Sequence, residues 1–397
     1  MIQREQYLSK LRKYRDKRVI KVITGIRRCG KSTLLKLFQQ ELVEDGVEQP
    51  QMIYLNFEDM DNSHLLDAKA LHQYIKDRLQ PGNTYVFLDE VQMVPSFERV
   101  VNSLLLRENV DVYVTGSNAH MLSGEIATLL SGRYVEIKML PLSFKEFVNA
   151  QGKTQQSLSS LYKKYITTSS FPYVLELDED RELIRNYLEG VFSTVVLKDI
   201  MARKKIGDVM MLESVIKFLF DSIGSLVSTK KISDTMISSG RKMAPQTVES
   251  YIEGLMESYV VYQTKRFDVK GKKHLKTLEK YYVADVGLRF HLLGSRQADT
   301  GHLLENVIYL ELLRRGYDVF IGKVDQYEVD FIALSQEETL YIQVAATVRS
   351  KDTLERELRP LQMIRDHHAK MILTLDEDPE MNIEGIRVMN ALDFLMV

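Results

Sequence analysis

The segment Gly25–Ser32 reads GIRRCGKS: a glycine, four variable residues, then Gly-Lys-Ser, set between an apolar run and an amphipathic stretch. Glycines at the fixed positions let the backbone wrap phosphate oxygens, and the amides and N-terminus of the following helix present positive potential to them. Lys31 has the reach for β and γ phosphates, and the Ser32 hydroxyl can ligate Mg2+. The expected nucleotide contacts are Gly25, Arg28, Cys29, Gly30, Lys31, Ser32 and Thr33. Arg27 and Arg28 either touch phosphate or stay solvated. Cys29 is the only cysteine; with no second thiol to resolve it, it reads as a small filler in the loop rather than a redox group.

A nucleotide site also needs a magnesium carboxylate at the end of a neighbouring buried strand, and YVFLDE, Tyr85–Glu90, supplies one. Asp89 would hold Mg2+ through water, and Glu90 would polarise the attacking water as a general base. The structural alternative is that the pair caps the next turn. The Asp-Glu tandem favours a hydrolase over a kinase-type phosphate loop. The run IYLNF at 53–57, between the two motifs, gives the order of the ATPase division with an added central strand. Farther on, TGSN, Thr115–Asn118, offers Asn118 or Ser117 as a sensor of the γ-phosphate, or else a turn or helix cap. Arg133 opens a later strand, where it either neutralises transition-state charge, within the subunit or across to a neighbour, or pairs with Glu136 or a carbonyl.

To act together these groups must sit on one scaffold, and the pattern from Val19 to Met139 supplies it. Short apolar strands alternate with helical stretches, the signature of a parallel sheet covered by helices. Strands are expected at Val19–Thr24, Met52–Phe57, Tyr85–Leu88, Val110–Thr115 and Tyr134–Lys138, and helices at Ser32–Leu42 and Ala70–Leu79. Residues 141–205 read as helical, with Asn149–Ser160 as the loop. A second helical region, Ile206–Glu257, ends in two strands, Tyr259–Arg266 and Thr277–Val283, around the basic turn DVKGKKH, an arrangement that suggests a winged helix. Residues 301–397 run helix, three strands, helix, strand.

Composition bounds the rest. The chain has 397 residues, 27% charged and 45% hydrophobic, which excludes a disordered or coiled-coil protein. At about 150 residues per domain it holds two to three domains. The single cysteine excludes an internal disulfide framework. The start, MIQREQYLSKLRKYRDKR, is charged where a signal peptide is apolar, and no run reaches the roughly 18 apolar residues of a membrane span, so a cytoplasmic protein with no membrane partner is expected. The net charge of -2 hides an uneven distribution: residues 1–40 carry twelve Lys or Arg against Glu5 and Asp16, and residues 41–100 are acidic. The basic block is either a solvated helix face or a surface for a polyanion.

With YLNFED, FLDEVQ, TGSNAHML, SGRYVEIKMLPLSFKEF, TVVLKDIMARKKI and YYVADVGL added to the phosphate loop, the chain resembles, from end to end, a prokaryotic family of AAA+-type P-loop ATPases. Members carry a C-terminal domain of unknown function with a restriction-nuclease-like, PD-(D/E)xK, fold. The resemblance implies an α/β protein: a parallel-sheet ATPase core over 1–140, a helical lid over 141–205, a winged-helix-like segment over 206–285 and a degenerate nuclease-like α/β domain over 286–397. One departure stands out: SSFP, Ser169–Pro172, lies where the family usually begins with two glycines.

Neither C-terminal segment carries its usual chemistry. The helix before the wing, PQTVESYIEGLMES, puts Glu249, Glu253 and Glu257 on one face, which would repel phosphates in a groove, while Val248, Ile252, Leu255 and Met256 form an apolar face. A protein-contact role is therefore favoured, although Lys265, Arg266, Lys270, Lys272 and Lys273 on the wing keep DNA contact open. Restriction-like nucleases hold Mg2+ with an Asp on one strand and a Glu on the next, with a Lys two residues on. Here Glu305 and Asp330 remain, but Gln343 and Ala345 replace the Glu and Lys, with Arg349 or Lys351 as substitutes that the spacing does not favour. The expected protein binds ATP with Mg2+ and hydrolyses it, coupling nucleotide state to its C-terminal domains. The other readings are a nucleotide-gated switch acting on a protein partner with little turnover, and a DNA-associated ATPase; oligomerisation is compatible with all three.

Overall fold

The computed structural model describes residues 2–397 apart from 123–129, 131, 153–154, 205, 242, 272, 295–299 and 379, and two compact units divide the chain. The first comprises residues up to Pro141 with Glu257–Tyr259, the second Leu142–Met256 with Val260–Val397.

The first unit is built on five parallel strands: β1 Ile20–Thr24, β2 Met52–Asn56, β3 Thr84–Asp89, β4 Val110–Gly116 and β5 Tyr134–Lys138, in the order β2-β3-β4-β1-β5. Each lies within two residues of its expected bounds. β1, β3 and β4 are buried along their whole length, as runs such as YVFLD and VDVYV require of strands covered on both faces. Helices α1 Glu5–Tyr14, α2 Lys31–Glu44, α3 Ala68–Lys76 and α4 Phe97–Leu105 flank the sheet's strands in sequence. Phe87 stacks on Tyr113 at 4.9 Å, with Phe38 of α2 tilted 5.2 Å from Tyr113, so α2 is fixed to the sheet by an aromatic cluster. β4 lies between β1 and β3, and this decides which side chains can bridge the phosphate loop and Asp89.

The second unit opens with helices α5 Phe144–Ala150, α6 Leu158–Thr168, α7 Arg181–Val191 and α8 Asp199–Lys204. A π-helical stretch, Phe192–Lys198, joins the last two. Side-chain caps set the starts: Ser143 and Glu146 form a reciprocal capping box on α5, and Ser157 caps α6, so the expected loop at 149–160 narrows to 151–157. Ser169 follows α6 with φ +150°, a conformation that favours glycine. A glycine, which the resemblance implies at this position, would thus have a physical cause, and Ser169 meets the conformation under strain.

Next come α9 Val209–Asp221, β6 Leu226–Val227, α10 Thr229–Ser238, α11 Pro245–Glu257, β7 Val261–Asp268 and β8 Lys273–Val283. The strands run farther into the basic turn than expected, because Phe267 and Asp268 pair with His274 and Lys273. After α12 Val286–Leu293, the chain continues through α13 Thr300–Arg314, β9 Asp318–Val324, β10 Tyr327–Leu334, β11 Thr339–Ala345, α14 Lys351–Gln362 and β12 Ala369–Thr374. It ends in β13 Met381–Ile383, β14 Ile386–Asn390 and α15 Ala391–Met396, three elements more than the helix, three strands, helix and strand expected of 301–397. β9, β10 and β11 form an antiparallel meander, and β12 runs parallel to β11. All of β6 to β14 share one nine-stranded sheet, because Arg266–Asp268 of β7 pair in parallel with Ile321–Lys323 of β9, so the sheet crosses the position expected to separate 206–285 from 286–397. Among the described residues, no helix is long and apolar enough to cross a membrane.

Candidate functional site

The phosphate loop leaves β1 at Thr24 and enters α2 at Lys31. Gly25 has φ +146°, and a Cβ there would lie 2.1 Å from the Met139 carbonyl oxygen, so only glycine fits. Arg28 and Gly30 are also at positive φ, 68° and 102°, which bends the loop into the concave turn from which backbone amides converge on an anion. Two residues of the N-terminal segment brace this turn. The buried Arg4 guanidinium donates to the Cys29 carbonyl at 3.0 Å and the Leu140 carbonyl at 2.7 Å, and the Tyr7 hydroxyl accepts from Leu140 N–H at 3.0 Å. Cys29 is buried, and burial pushes its thiol up, so it packs rather than reacts and can meet a nucleotide through its backbone. Arg28 and Thr33 are exposed and Ser32 is half-buried, while Arg27 pairs with Glu58.

Lys31, 4% exposed, donates to the carbonyls of Gly25 and Ile26 and, at 2.8 Å, to the Ser117 hydroxyl. Ser117 in turn donates to Glu90 Oε1 at 2.7 Å, with Lys31 Nζ 3.6 Å from the same oxygen. Gln92 donates to Glu90 Oε2 at 2.5 Å. Burial opposes the charge on Glu90, but Lys31 and the hydrogen bonds from Ser117 and Gln92 outweigh it and hold this carboxyl below the usual range. Glu90 sits at φ +54°, backbone strain of the kind that gathers at functional sites. Behind it, Asp89 accepts from Thr115 Oγ1 at 2.5 Å and from the Tyr54 hydroxyl at 2.9 Å, and Thr115 Oγ1 accepts from Glu90 N–H at 2.9 Å. Because β4 lies between β1 and β3, its end delivers Thr115 and Ser117 to the gap between the loop and the two acids. The donor set fits a magnesium nucleotide: a glycine-shaped anion turn, a buried ammonium, a hydroxyl at Ser32 and a carboxylate at Asp89.

Of the two sensor candidates, Ser117 is joined to both Lys31 and Glu90, and the Asn118 carbonyl accepts the Met121 N–H. Arg133 is not brought to its own phosphate loop. β5 pairs in parallel with β1 from Ile20 opposite Tyr134 to Thr24 opposite Lys138, so Arg133 precedes the amino end of the strand while the loop follows the carboxyl end, about 16 Å away at ~3.3 Å per residue. Its guanidinium donates to Asn102 of α4, and Glu136 instead accepts from Thr24 Oγ1 at 2.7 Å. An action of Arg133 within its own subunit is thereby removed, and so is the expected pairing with Glu136.

Residues 17–148 match the AAA domain family, and residues 159–299 match a domain of unknown function. An uncharacterized protein of Haemophilus influenzae is 40% identical over 400 residues, spanning 100% of this chain and 99% of its own length. The chain carries an AAA domain and belongs to one family with the Haemophilus protein. This AAA-domain protein is also 29% identical over 358 residues to an uncharacterized protein of Methanocaldococcus jannaschii, across 86% of its own length and 77% of the relative's. Its fold resembles that of the Walker-type ATPase of Pyrococcus abyssi, with a TM-score of 0.52 at 14% identity, over 74% of this chain and 96% of the other.

Arg4, Tyr7, Tyr54, Gln92 and Thr115 of the AAA-domain protein escaped the sequence reading. Tyr54 carried a faint signal, a polar-tipped residue inside IYLNF, and Thr115 was in view only as the start of TGSN; a lone arginine at position 4 carries none. In the second unit, Gln343 does not serve as a free oxygen ligand. Its Oε1 accepts from Asp330 N–H at 2.7 Å and its amide donates to Glu357 at 2.8 Å. Ala345 is buried, Arg349 pairs with Asp378 at 2.9 Å, and Lys351 lies near Glu355, so neither cation replaces the missing lysine. Among the described residues, no group of three or more His, Cys, Asp or Glu side chains is disposed to hold a metal ion, so these residues do not fit the Mg2+ of a nuclease.

Proposed function

We propose that the AAA-domain protein binds ATP with Mg2+ at Gly25–Thr33 and hydrolyses it, with Glu90 as the general base. The observation that carries this reading is the continuous chain Lys31–Ser117–Glu90, in which a phosphate-binding ammonium and a charged carboxylate share one hydroxyl. Lys31 would bind the β and γ phosphates, Ser117 would report the γ-phosphate, and Glu90 would accept the proton of the attacking water. Ser32 and Asp89 would hold Mg2+, which when bound neutralises phosphate charge. With ATP seated, Lys31 has a new partner, and Glu90 is released toward the water. Turnover of ATP should fall at least a hundredfold in both Lys31→Ala and Glu90→Gln, with ATP affinity lost only in the first. A Glu90→Gln protein as fast as wild type would show that the base lies elsewhere.

The remainder of the proposal concerns what turnover drives. Residues 141–205 are read as a helical lid, 206–285 as a winged-helix-like segment and 286–397 as a nuclease-like fold without nuclease chemistry, moved by the nucleotide state and presented to a protein partner in the cytoplasm. Exposed Glu249 and Glu253 on α11, the latter 3.4 Å from Lys204, support a protein-facing rather than a DNA-facing helix. On the wing, Lys270 is already paired with Asp325; Lys272 and the side chain of Lys273 lie outside the described residues. ATP turnover measured with and without duplex DNA separates this reading from a DNA-associated ATPase, which DNA would stimulate. Arg133 retains a role only toward a neighbouring subunit; mixing Arg133→Ala with Lys31→Ala chains and measuring turnover tests it.

A further inference from the structure

The second unit contains a buried lysine at a place where three acidic side chains converge. Lys280 of β8 is 3% exposed, and its ammonium lies 2.9 Å from Glu305 Oε1 on α13, 2.8 Å from Glu328 Oε1 and 3.7 Å from Asp330 Oδ1, both on β10. The neighbouring polar groups are also engaged. The Tyr282 hydroxyl donates to Glu305 Oε1 at 2.7 Å, His302 Nδ1 lies 3.7 Å from Glu305 Oε2, and Asp330 Oδ2 accepts from Val344 N–H at 2.9 Å. Above the cluster, a Cβ on Gly224 would meet His302 Nδ1 at 2.8 Å and Glu305 Oε2 at 2.9 Å, so the backbone before β6 closes over Glu305.

We infer that Lys280 is the resident cation of this cleft: its ammonium occupies the position between Glu305 and Asp330 at which a nuclease of this fold would hold a divalent metal, making the C-terminal fold a metal-free scaffold. The inference rests on the nuclease-like reading for the identity of the displaced ion, and on nothing in the ATPase proposal. Two features make the replacement a built one. Lys280 comes from β8, the strand that also pairs with β6 and β7, so the ion pair ties that hairpin to α13 and β10. Gln343 carries no charge and uses both ends of its amide within the protein, so it offers a divalent ion neither a carboxylate nor a free oxygen. A fixed ammonium keeps the carboxylates in place while excluding the ion on which phosphodiester cleavage depends.

The test uses the full chain without nucleotide, with Mn2+ as the probe, its binding followed by the loss of the free-ion paramagnetic resonance signal. Wild type should show no Mn2+ binding that Asp330→Asn removes. Lys280→Ala should gain one Mn2+, bound about tenfold or more tighter than by wild type, with a melting temperature that rises on adding Mn2+. Both gains should vanish in Lys280→Ala/Asp330→Asn, and Lys280→Arg should behave as wild type. Asp330-dependent Mn2+ binding by wild type would overturn the inference. A folded Lys280→Ala chain binding no more Mn2+ than wild type would do the same, and so would one that stays unfolded in Mn2+. A Mn2+ site that forms in Lys280→Ala yet cuts no supercoiled DNA supports the inference and counts only against residual nuclease chemistry.

Discussion

Ser117 has two neighbours with opposite charges, and its hydroxyl can serve both because it accepts from one and donates to the other. Ser117→Ala would leave Lys31 3.6 Å from Glu90 with no hydroxyl between them. ATP turnover should fall by about ten- to a hundredfold while ATP affinity changes little, measured as kcat against KM, because the lost group orients the base rather than the phosphates. Thr115→Val should cost more in stability than in binding: it strands Asp89 Oδ1 and the Glu90 N–H, about 1–3 kcal/mol for each buried group left without a partner, read from denaturant melts. Asp330 gives a pH signature of its own. Burial first, then the charge of Glu305, raises its carboxyl from 3.8 to about 7. An acid whose folded value is raised binds its proton more tightly in the native state, so its contribution makes stability fall as pH rises from about 4 to about 7, and stay level above. Melting temperatures across that range should decline less steeply in Asp330→Asn than in wild type.

At the level of elements, the N-terminal segment is a brace as well as a basic helix. Arg4 holds the Cys29 and Leu140 carbonyls, so Arg4→Met should weaken ATP binding by about tenfold, measured by titration, although residue 4 has no expected contact with nucleotide. The turn after α6 carries a second element-scale prediction. Ser169 pays for φ +150° in strain while its Oγ accepts from Phe171 N–H at 3.1 Å; Ser169→Ala loses the hydrogen bond and keeps the strain, whereas Ser169→Gly loses both. The glycine variant should therefore melt higher than the alanine variant, by about 1 kcal/mol in stability. The strands of the first unit were legible because buried parallel strands are short continuous apolar runs punctuated by glycine and charge, and the phosphate loop because its spacing is rigid. Lys280 was not: it sits 25 residues from Glu305 and 50 from Asp330, in a stretch whose sequence reads as one more basic wing residue. Arg133 misled for a related reason, since a strand's sequence shows that it begins but not toward which end of the sheet the ligand lies.

For the whole molecule, part of the basic excess over residues 1–40 is answered by acids of the first unit. Arg12 pairs with Glu5 and Glu41 at 2.6 and 2.7 Å, Arg15 with Asp45, the buried Lys21 with Asp111, and Arg27 with Glu58. Of these pairs only Lys21–Asp111 is buried; Lys13, Lys17 and Arg18 stay exposed, so a basic face persists at the surface. In the second unit, the hydrogen bonds of the sheet run without a break from β6 to β13. A load applied between residues 226 and 390 therefore meets no soft seam near residue 285: the pairs between β7 and β9 must be sheared before the helices ahead of β7 can part from the meander behind it.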